Sequence, residues 1–293
     1  MRRIFIQIAS YRDPELPRTI KSCLSRAQSP HQLSFGICHQ YDEETRSLLD
    51  EWMNGMSDRF RVILVPWKES RGVGYARHLC QTLYRKEEYT LQIDSHMRFV
   101  QNWDDIVIKE WSRYAATTPT TSLIALTEYA TPFRYVNGIE VFESHSPNIL
   151  VINSIDHGFV RTFKSGSLLS SRAKFAAGGF LFGPGLLCTV PYESSVCFTG
   201  EELLLSYNLF RRGWHLYAPM TPIVYHLYDR PEAIRFWTCQ SNYPELLETS
   251  LKTLRQTFLD SKEPDILTRF ESFTGIHFDC LRNDKLQPQL NII

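Results

Sequence analysis

The sequence lacks the features that mark several classes of protein. It has no C-x-x-C pair, no N-x-S/T sequon and no apolar run near the roughly 20 residues that a membrane-spanning helix needs. The apolar run 4–9 contains Gln7 and is followed at once by Arg12 and Asp13, which predicts a strand rather than a signal peptide. Seven cysteines, an odd number, are scattered along the chain, which argues against a disulfide framework. We therefore expect a cytoplasmic protein with reduced thiols and no transmembrane segment.

A net charge of either sign is also missing. Lys plus Arg and Asp plus Glu both number 32, so charge gives no support for nucleic-acid or membrane binding by a whole-molecule field. The 293 residues, 43% of them apolar, fit an ordinary globular protein with one large α/β domain or two smaller ones. Aromatic residues are plentiful at 13%, and both a buried core and a sugar-binding surface would use them.

The first hundred residues alternate strand and helix patterns. The predicted strands are 4–9, 33–39, 61–66 and 89–93, and the predicted helices are 15–27, one capped by Asp42 that runs to Met56, 72–84 and one capped by Asn102. This alternation predicts an α/β fold with a mostly parallel central sheet flanked by helices. In such a sheet ligands bind beyond the carboxyl ends of the strands.

The rest of the sequence is less regular. Residues 119–198 are rich in Gly, Pro and Ser and carry short strand patterns at 122–127 and 159–163, which predicts a partly β segment over the sheet. A helix is predicted at 200–212, ended by Gly213, and a strand at 222–228. Amphipathic helices near 246–258 and 264–273 follow. We predict a main domain over residues 1–235 and a C-terminal helical extension, 236–293, packed on it.

The triplet Asp94-Ser95-His96 ends the fourth predicted strand. Residues i and i+2 of an extended chain point to the same side, so Asp94 and His96 can reach one divalent cation. A carboxylate with an imidazole suits Mn²⁺ better than Mg²⁺. His226 ends a later strand and is the candidate third ligand, with a satisfied core histidine as the plainer interpretation. An isolated D-x-H triplet is equally compatible with a capped strand end.

Other polar groups fall at the same predicted edge of the sheet. A divalent cation held by Asp94 and His96 would neutralise the diphosphate that leaves a nucleotide-sugar. Ser10, Arg12 and Asp13 are candidates to hold a uridine and its ribose, and Asp42 is either a further contact or a simple N-cap.

Two predicted helix starts carry groups that suit a sugar diphosphate. Arg71 and Arg77 flank a glycine-containing helix start, where free amides favour phosphate, although solvated arginines beside a glycine-eased turn are the alternative. Because Arg77 stands at the third glycine position, this segment is not a dinucleotide-binding fingerprint. Glu201 and Glu202 are either ordinary helix-dipole partners or carboxylates that bind sugar or acceptor hydroxyls.

Four segments together resemble a known family: 8–13 (IASYRD), 91–99 (LQIDSHMRF), 103–104 (WD) and 198–202 (FTGEE). They are similar to the GlcNAc-transferase family that includes cytosolic enzymes modifying hydroxyproline on a ubiquitin-ligase adaptor protein, polypeptide α-GlcNAc-transferases and bacterial members. The resemblance runs from about residue 4 to about residue 230. The D-x-H triplet is also similar to that of polypeptide GalNAc-transferases, in which a late histidine completes the metal site.

The resemblance implies a GT-A fold and metal-dependent, retaining transfer of GlcNAc from UDP-GlcNAc to a hydroxyl of a protein or glycan acceptor. Asp94, His96 and His226 match metal ligands, and Asp94, Glu201 and Glu202 are the candidate catalytic residues. We expect nucleotide-sugar contacts from Ser10, Tyr11, Arg12, Asp13, Asp42, Arg71, Arg77, Gln92 and Ser95. The central segment, which would select the acceptor, matches least.

Two other interpretations stay open. The chain could only hydrolyse UDP-sugars, or it could be a non-catalytic UDP-sugar or glycan-binding module on a GT-A fold. The intact D-x-H triplet favours catalysis. A zinc hydrolase is disfavoured because the sequence has neither H-E-x-x-H nor a C-x-x-C pair.

Overall fold

Strands and helices alternate through the first half of the chain, as the hydrophobic periodicity predicts. The computed structural model describes residues 2–55, 58–118, 123–144, 148–156, 159–167 and 172–278, and gives only the backbone of 152–156 and 159–167. Met56, Ser122 and the last part of the predicted C-terminal extension lie outside the described residues. The strands are β1 (Ile4–Tyr11), β2 (Leu33–Tyr41), β3 (Phe60–Pro66), β4 (Tyr89–Asp94), β5 (Met97–Phe99), β6 (Leu123–Thr127), β7 (Thr131–Val136), β8 (Ile139–Phe142), β9 (Asn148–Asp156), β10 (Phe159–Ser167), β11 (Arg172–Ala173), β12 (Phe180–Pro184), β13 (Trp214–Tyr217) and β14 (Val224–Leu227).

The helices lie mainly between these strands and after them. They are α1 (Leu16–Arg26), α2 (Asp50–Gly55), α3 (Val73–Thr82), α4 (Trp103–Thr117), α5 (Glu201–Arg211), α6 (Phe236–Cys239), α7 (Tyr243–Phe258) and α8 (Pro264–Thr274). Over the described ranges, none of these helices has both the length and the apolar character that crossing a membrane requires.

The central sheet has eight strands in the order β11-β13-β6-β12-β4-β1-β2-β3. Strands β4, β1, β2 and β3 pair in parallel, as do β13 and β6, while β12 runs antiparallel between β4 and β6. The mostly parallel sheet is therefore confirmed, and the carboxyl ends of β1, β2 and β4 share one edge. A second sheet, β5-β14-β7-β8, lies beyond the end of β4, and β9 pairs with β10.

Apolar side chains on the central strands explain why this sheet is covered by helices. Ile6, Ile8 and Leu91 are buried on one face with Ile20 from α1 and Trp103 from α4. On the other face, Cys38 of β2 is buried in a separate cluster with Cys80 from α3. A strand that is apolar on both faces is typical of a parallel sheet with helices on either side.

Two predicted helix starts differ in detail from the structure. The carboxylate of Asp42 accepts hydrogen bonds from the amide and hydroxyl of Thr45, as a cap would, but these bonds close a turn. The helix itself begins only at Asp50. This local Asx-type bond competes with helix formation. Asn102 precedes α4 as predicted, yet it caps by its backbone carbonyl in a left-handed conformation (φ 59°), without a side-chain bond to the helix amides.

Helices α7 and α8 pack on α5 and thereby support the segment that begins at residue 200. Leu203 and Leu204 of α5 share a buried cluster with Leu254 and Phe258 of α7 and Phe270 of α8. The segments on either side of the predicted boundary at residue 235 thus contribute to one core.

Gly200 should tolerate alanine less well than Gly275, although both have a left-handed φ, 87° and 81°. A Cβ at Gly200 would lie 2.5 Å from Leu254 Cδ1, whereas a Cβ at Gly275 meets nothing within 4 Å. We expect Gly275→Ala to lower the unfolding free energy by about 1 kcal/mol through backbone strain, and Gly200→Ala by about 3 kcal/mol because overpacking adds to it. Denaturant titration measures both values. Equal losses would show that Leu254 moves aside freely.

Candidate functional site

A cavity of about 440 Å³ opens at the carboxyl ends of β1 and β4. Its walls come from those strand ends, the start of α3, the loop before α5, strand β14 and the segment that leads into α6. The lining residues are Ala9, Tyr11, Asp13, Gln40, Gly72, Val73, Arg77, Asp94, Ser95, His96, Gly178, Gly179, Cys197, Phe198, Thr199, Gly200, Glu201, Glu202, His226, Arg230, Ile234, Arg235, Phe236 and Trp237. The cavity thus lies at the sheet edge that the sequence predicts.

Asp94, His96 and His226 meet in this cavity. One ligand atom from each lies within 4.8 Å of the others, and in the described part of the chain this is the only such group of three found. The two histidine Nε2 atoms are 3.0 Å apart, and His226 Nε2 is 3.2 Å from Asp94 Oδ2. Burial and then the neighbouring His96 lower the pKa of His226 to about 4, so its imidazole is neutral at neutral pH. A carboxylate oxygen with two imidazole nitrogens is a donor set that fits Mn²⁺.

The register between two short strands brings His226 to the triplet. Strand β14 pairs antiparallel with β5, and His226 lies opposite Met97, the residue after His96. The backbone amide of Leu227 also donates to the His96 carbonyl at 3.1 Å. A long-range strand pairing therefore completes the group.

Asp13 holds His96 from behind. Asp13 Oδ2 accepts hydrogen bonds from His96 Nδ1 at 2.7 Å, Ser95 Oγ at 2.7 Å and Arg230 Nη1 at 3.0 Å. Burial opposes ionisation of this carboxyl, but the hydrogen bond from His96 and the charge of Arg230 outweigh it and hold the Asp13 pKa well below its ordinary value. A carboxylate on the second ring nitrogen is the usual way to orient a metal-binding histidine. Asp13 and Ser95, predicted to contact a nucleotide-sugar, here support His96.

Arg77 is buried between two carboxylates. Its Nη1 is 2.5 Å from Glu201 Oε1, and its Nη2 is 3.0 Å from Asp94 Oδ1. Burial would raise the Asp94 pKa, but the bond from His226 and the charge of Arg77 hold it well below its ordinary value. Arg77 thus lines the cavity with its charge already balanced.

Glu202 is the cavity carboxyl that is least favourably placed for ionisation. Burial first, and then the adjacent Glu201, raise its pKa to about 8. Its Oε1 accepts a hydrogen bond from the Gly178 amide at 2.7 Å. Burial also raises the pKa of Glu201, against the charge of Arg77.

Gly178 and Gly179 lie against the charged groups, a role that the sequence pattern did not reveal. A Cβ on Gly178 would lie 2.3 Å from Arg77 Nη1, and a Cβ on Gly179 would lie 3.1 Å from Asp94 Oδ2. Glycine is the residue that allows such close backbone approach. The signal in the sequence is the Gly-Gly pair just before a strand, inside the segment that is predicted only as partly β.

The start of α3 is covered by the loop before α5. The amides of Gly72 and Val73 donate to Ser70 Oγ and to the Cys197 carbonyl. A Cβ on Gly74 would lie 2.3 Å from the Val196 carbonyl oxygen. These glycines thus allow the loop to pack on the helix, and the two amides are not open to phosphate.

The remaining predicted nucleotide-sugar contacts divide into one that lines the cavity and five that do not. Tyr11 lines it, whereas Ser10, Arg12, Asp42, Arg71 and Gln92 are absent from its walls. Their side chains are engaged or turned elsewhere. Ser10 is fully buried, Arg71 is exposed, and Gln92 donates to the Gly178 carbonyl and the Tyr192 hydroxyl. Arg12 has φ 48°, pairs with Asp42 at 2.5 Å and stacks on Trp67.

Sequence reasoning missed the wall formed by residues 230–237. Arg230 and Arg235 bring two guanidinium groups to the cavity, and Trp237 packs against Phe198 with ring centroids 4.8 Å apart. The available signal was a polar segment directly after the strand that ends near His226.

Known protein families and solved structures include matches to this chain. A family model described as "Glycosyltransferase (GlcNAc)" matches residues 3–54 and 53–272. No curated protein sequence is significantly similar to the chain.

Solved structures share the fold. The crystal structure of GalNAc-T7 with UDP, GalNAc and Mn²⁺ has a TM-score of 0.62 at 14% identity, over 92% of this chain and 54% of that one. S. aureus TarS has a TM-score of 0.52 at 11% identity, over 92% of this chain and 42% of that one. The GT-A fold is thereby confirmed, and the chain spans about half of each neighbour or less.

Proposed function

The chain belongs to the GlcNAc glycosyltransferase family, and from that premise we propose that it transfers GlcNAc from UDP-GlcNAc to a hydroxyl of a protein or glycan acceptor. The transfer depends on a divalent cation, with Mn²⁺ favoured over Mg²⁺, and retains the anomeric configuration. We further propose a cytoplasmic location, which the six free cysteines among the described residues support.

The convergence of Asp94, His96 and His226 carries this proposal. The three ligand atoms lie within 4.8 Å in a cavity of about 440 Å³, a volume typical of small-molecule sites. Such a donor set leaves coordination positions for phosphate oxygens. The neighbour GalNAc-T7 was crystallised with UDP and Mn²⁺, which supports the same ligands here.

Arg230 and Arg235 are the best placed cations for the diphosphate. Both line the cavity. Arg230 pairs with one carboxylate, because its Nη1 donates to Asp13 at 3.0 Å, but its buried Nε has no hydrogen-bond partner within the part of the chain that the structure describes. Guanidinium groups bind phosphate oxygens through paired N–H donors. Arg71 is exposed and outside the cavity, and Arg77 already pairs with two carboxylates. We therefore assign the diphosphate to Arg230 and Arg235 before these two.

The proposed reaction is a front-side exchange at the anomeric carbon. A bound divalent cation would stabilise the charge of the leaving diphosphate. The bond from the anomeric carbon to the phosphate oxygen breaks, the acceptor oxygen forms the new bond on the same face, and its proton passes to the leaving phosphate oxygen. Glu201 and Glu202 bind hydroxyl groups of the sugar or the acceptor, and Tyr11 contacts the nucleoside.

The test is release of UDP by the purified protein from UDP-GlcNAc, UDP-GalNAc and UDP-glucose, with Mn²⁺ and with EDTA. We expect release from UDP-GlcNAc above the other donors, and its loss in EDTA. Metal-independent release would contradict the metal assignment, and preference for another donor would contradict UDP-GlcNAc. NMR of the new linkage reports retention, and an inverted product would contradict the front-side exchange.

The same assay separates the two other interpretations. A UDP-sugar hydrolase releases free sugar in equal amount to UDP in the presence of every acceptor. A non-catalytic module binds UDP in a titration but releases none from any donor.

A further inference from the structure

The two carboxylate oxygens of Asp94 face different partners, one Arg77 and the other the histidines. Asp94 Oδ1 accepts from Arg77 Nη2 at 3.0 Å, while Oδ2 faces His226 Nε2 at 3.2 Å. A carboxylate that rotated freely could offer either oxygen to a cation. With Oδ1 taken by the guanidinium, Oδ2 is the oxygen left to point toward His96 and His226.

The guanidinium itself is held by groups from separate elements. Gly178 lies against it so closely that a Cβ would be 2.3 Å from Nη1, and the Tyr192 ring lies 5.4 Å from its central carbon. Gln92 ties these two together, because its amide donates to the Tyr192 hydroxyl at 2.7 Å and to the Gly178 carbonyl at 3.0 Å. The orientation of Arg77 is therefore fixed by β4, by the loop before β12 and by the segment after it.

The charge of Arg77 is already neutralised by carboxylates. Both terminal nitrogens pair with buried carboxylates, from Asp94 and Glu201, and the side chain is only 6% exposed. Turning the guanidinium to a diphosphate would take away the side-chain partner of Glu201 and leave Asp94 with His226 alone, and a buried unpaired charge is strongly destabilising. This cost argues for a fixed ion pair and against a substrate contact.

We propose that Arg77 is a positioning residue that orients Asp94 for the cation and links this ligand to Glu201. The inference rests on the proposed function, because it presumes that Asp94, His96 and His226 bind a divalent ion. A lysine cannot replace it, since one ammonium cannot hold both carboxylates in the planar fork geometry.

Mn²⁺ affinity of the full chain without donor, measured by electron paramagnetic resonance, tests the proposal. We expect Arg77→Lys and Gly178→Ala each to weaken Mn²⁺ binding by about 10-fold to 100-fold, the loss usual when a group that orients a metal ligand is removed. Gly178→Ala removes no polar group, and its Cβ would clash with the guanidinium, so it tests orientation with every charge kept. Arg113→Lys is the matched control. Arg113 is half exposed, its Nη2 lies 2.8 Å from Glu110 Oε2, and neither residue lines the cavity.

A second readout distinguishes positioning from a general structural role. If Arg77 acts through the cation site, UDP release by Arg77→Lys recovers as the Mn²⁺ concentration rises, while the KM for UDP-GlcNAc at saturating Mn²⁺ stays near the wild-type value. Folded variants with wild-type Mn²⁺ affinity but a raised KM for the donor would overturn the proposal and make Arg77 a diphosphate contact. Failure of the wild-type protein to bind Mn²⁺ would instead refute the proposed metal site, and the inference with it.

Discussion

Replacing Asp94 by asparagine should lower UDP release from UDP-GlcNAc by about 10³-fold, because several kcal/mol of charge stabilisation at the leaving diphosphate are lost with the cation. The amide keeps the size of the carboxylate but not its charge. Its NH₂ group stands where one carboxylate oxygen was, and it can neither accept from Arg77 nor bind a cation. Mn²⁺ binding, measured on the same sample, should weaken in parallel.

Asp265→Asn is the matched control for this change. Asp265 is an exposed residue in the first turn of α8, so the same chemical substitution there should leave both release and Mn²⁺ binding unchanged. Near-normal UDP release by folded Asp94→Asn would refute the metal assignment, since it would show that the cation or the carboxylate is not needed.

Replacing Glu202 by glutamine should lower transfer by about 10²-fold, because one carboxyl oxygen that can accept from a sugar or acceptor hydroxyl becomes an NH₂ group that only donates. The same change should stabilise the fold at alkaline pH. Glu202 has an ordinary pKa of 4.5, and in the fold burial and Glu201 raise it to about 8. Between these values the folded chain holds a proton that the unfolded chain has released, so unfolding becomes easier as pH rises.

A neutral glutamine removes this dependence. Its side-chain oxygen can still accept the hydrogen bond from the Gly178 amide, so we expect the packing to be kept. Thermal unfolding in EDTA, compared at about pH 5 and about pH 8, should show a larger rise in Tm for the variant at the higher pH. An equal shift at both values would show that Glu202 ionises normally in the fold. Unchanged transfer would exclude Glu202 from binding donor or acceptor groups.

Asp94→Asn tests whether the cation is needed for transfer, and Glu202→Gln tests how the ionisation of a neighbouring buried carboxyl affects stability. Glu201, Arg77 and Asp94 surround Glu202, and the charge of Arg77 opposes the rise in its pKa. A buried carboxyl that costs stability at neutral pH is typical of a functional site.

The sequence alone predicted the layered part of the fold. Strands β1 to β4 and helices α1, α3 and α4 lie where apolar periodicity places them, because their apolar side chains are buried on both sides of one sheet. Asp94, His96, Glu201 and Glu202 were also predicted as site residues from sequence, since a strand end and a helix start are local features. All four line the cavity.

Only the tertiary structure decided how distant groups combine. His226 reaches His96 across 130 positions through the register of β14 on β5, and periodicity carries no information about strand pairing. Arg77 was predicted as a phosphate contact from its helix start, but the fold places it between Asp94 and Glu201, which local sequence cannot show. Gly178 and Arg230 became site residues for the same reason. Their roles depend on which charges lie within a few ångströms, and that is fixed by packing between segments far apart in the chain.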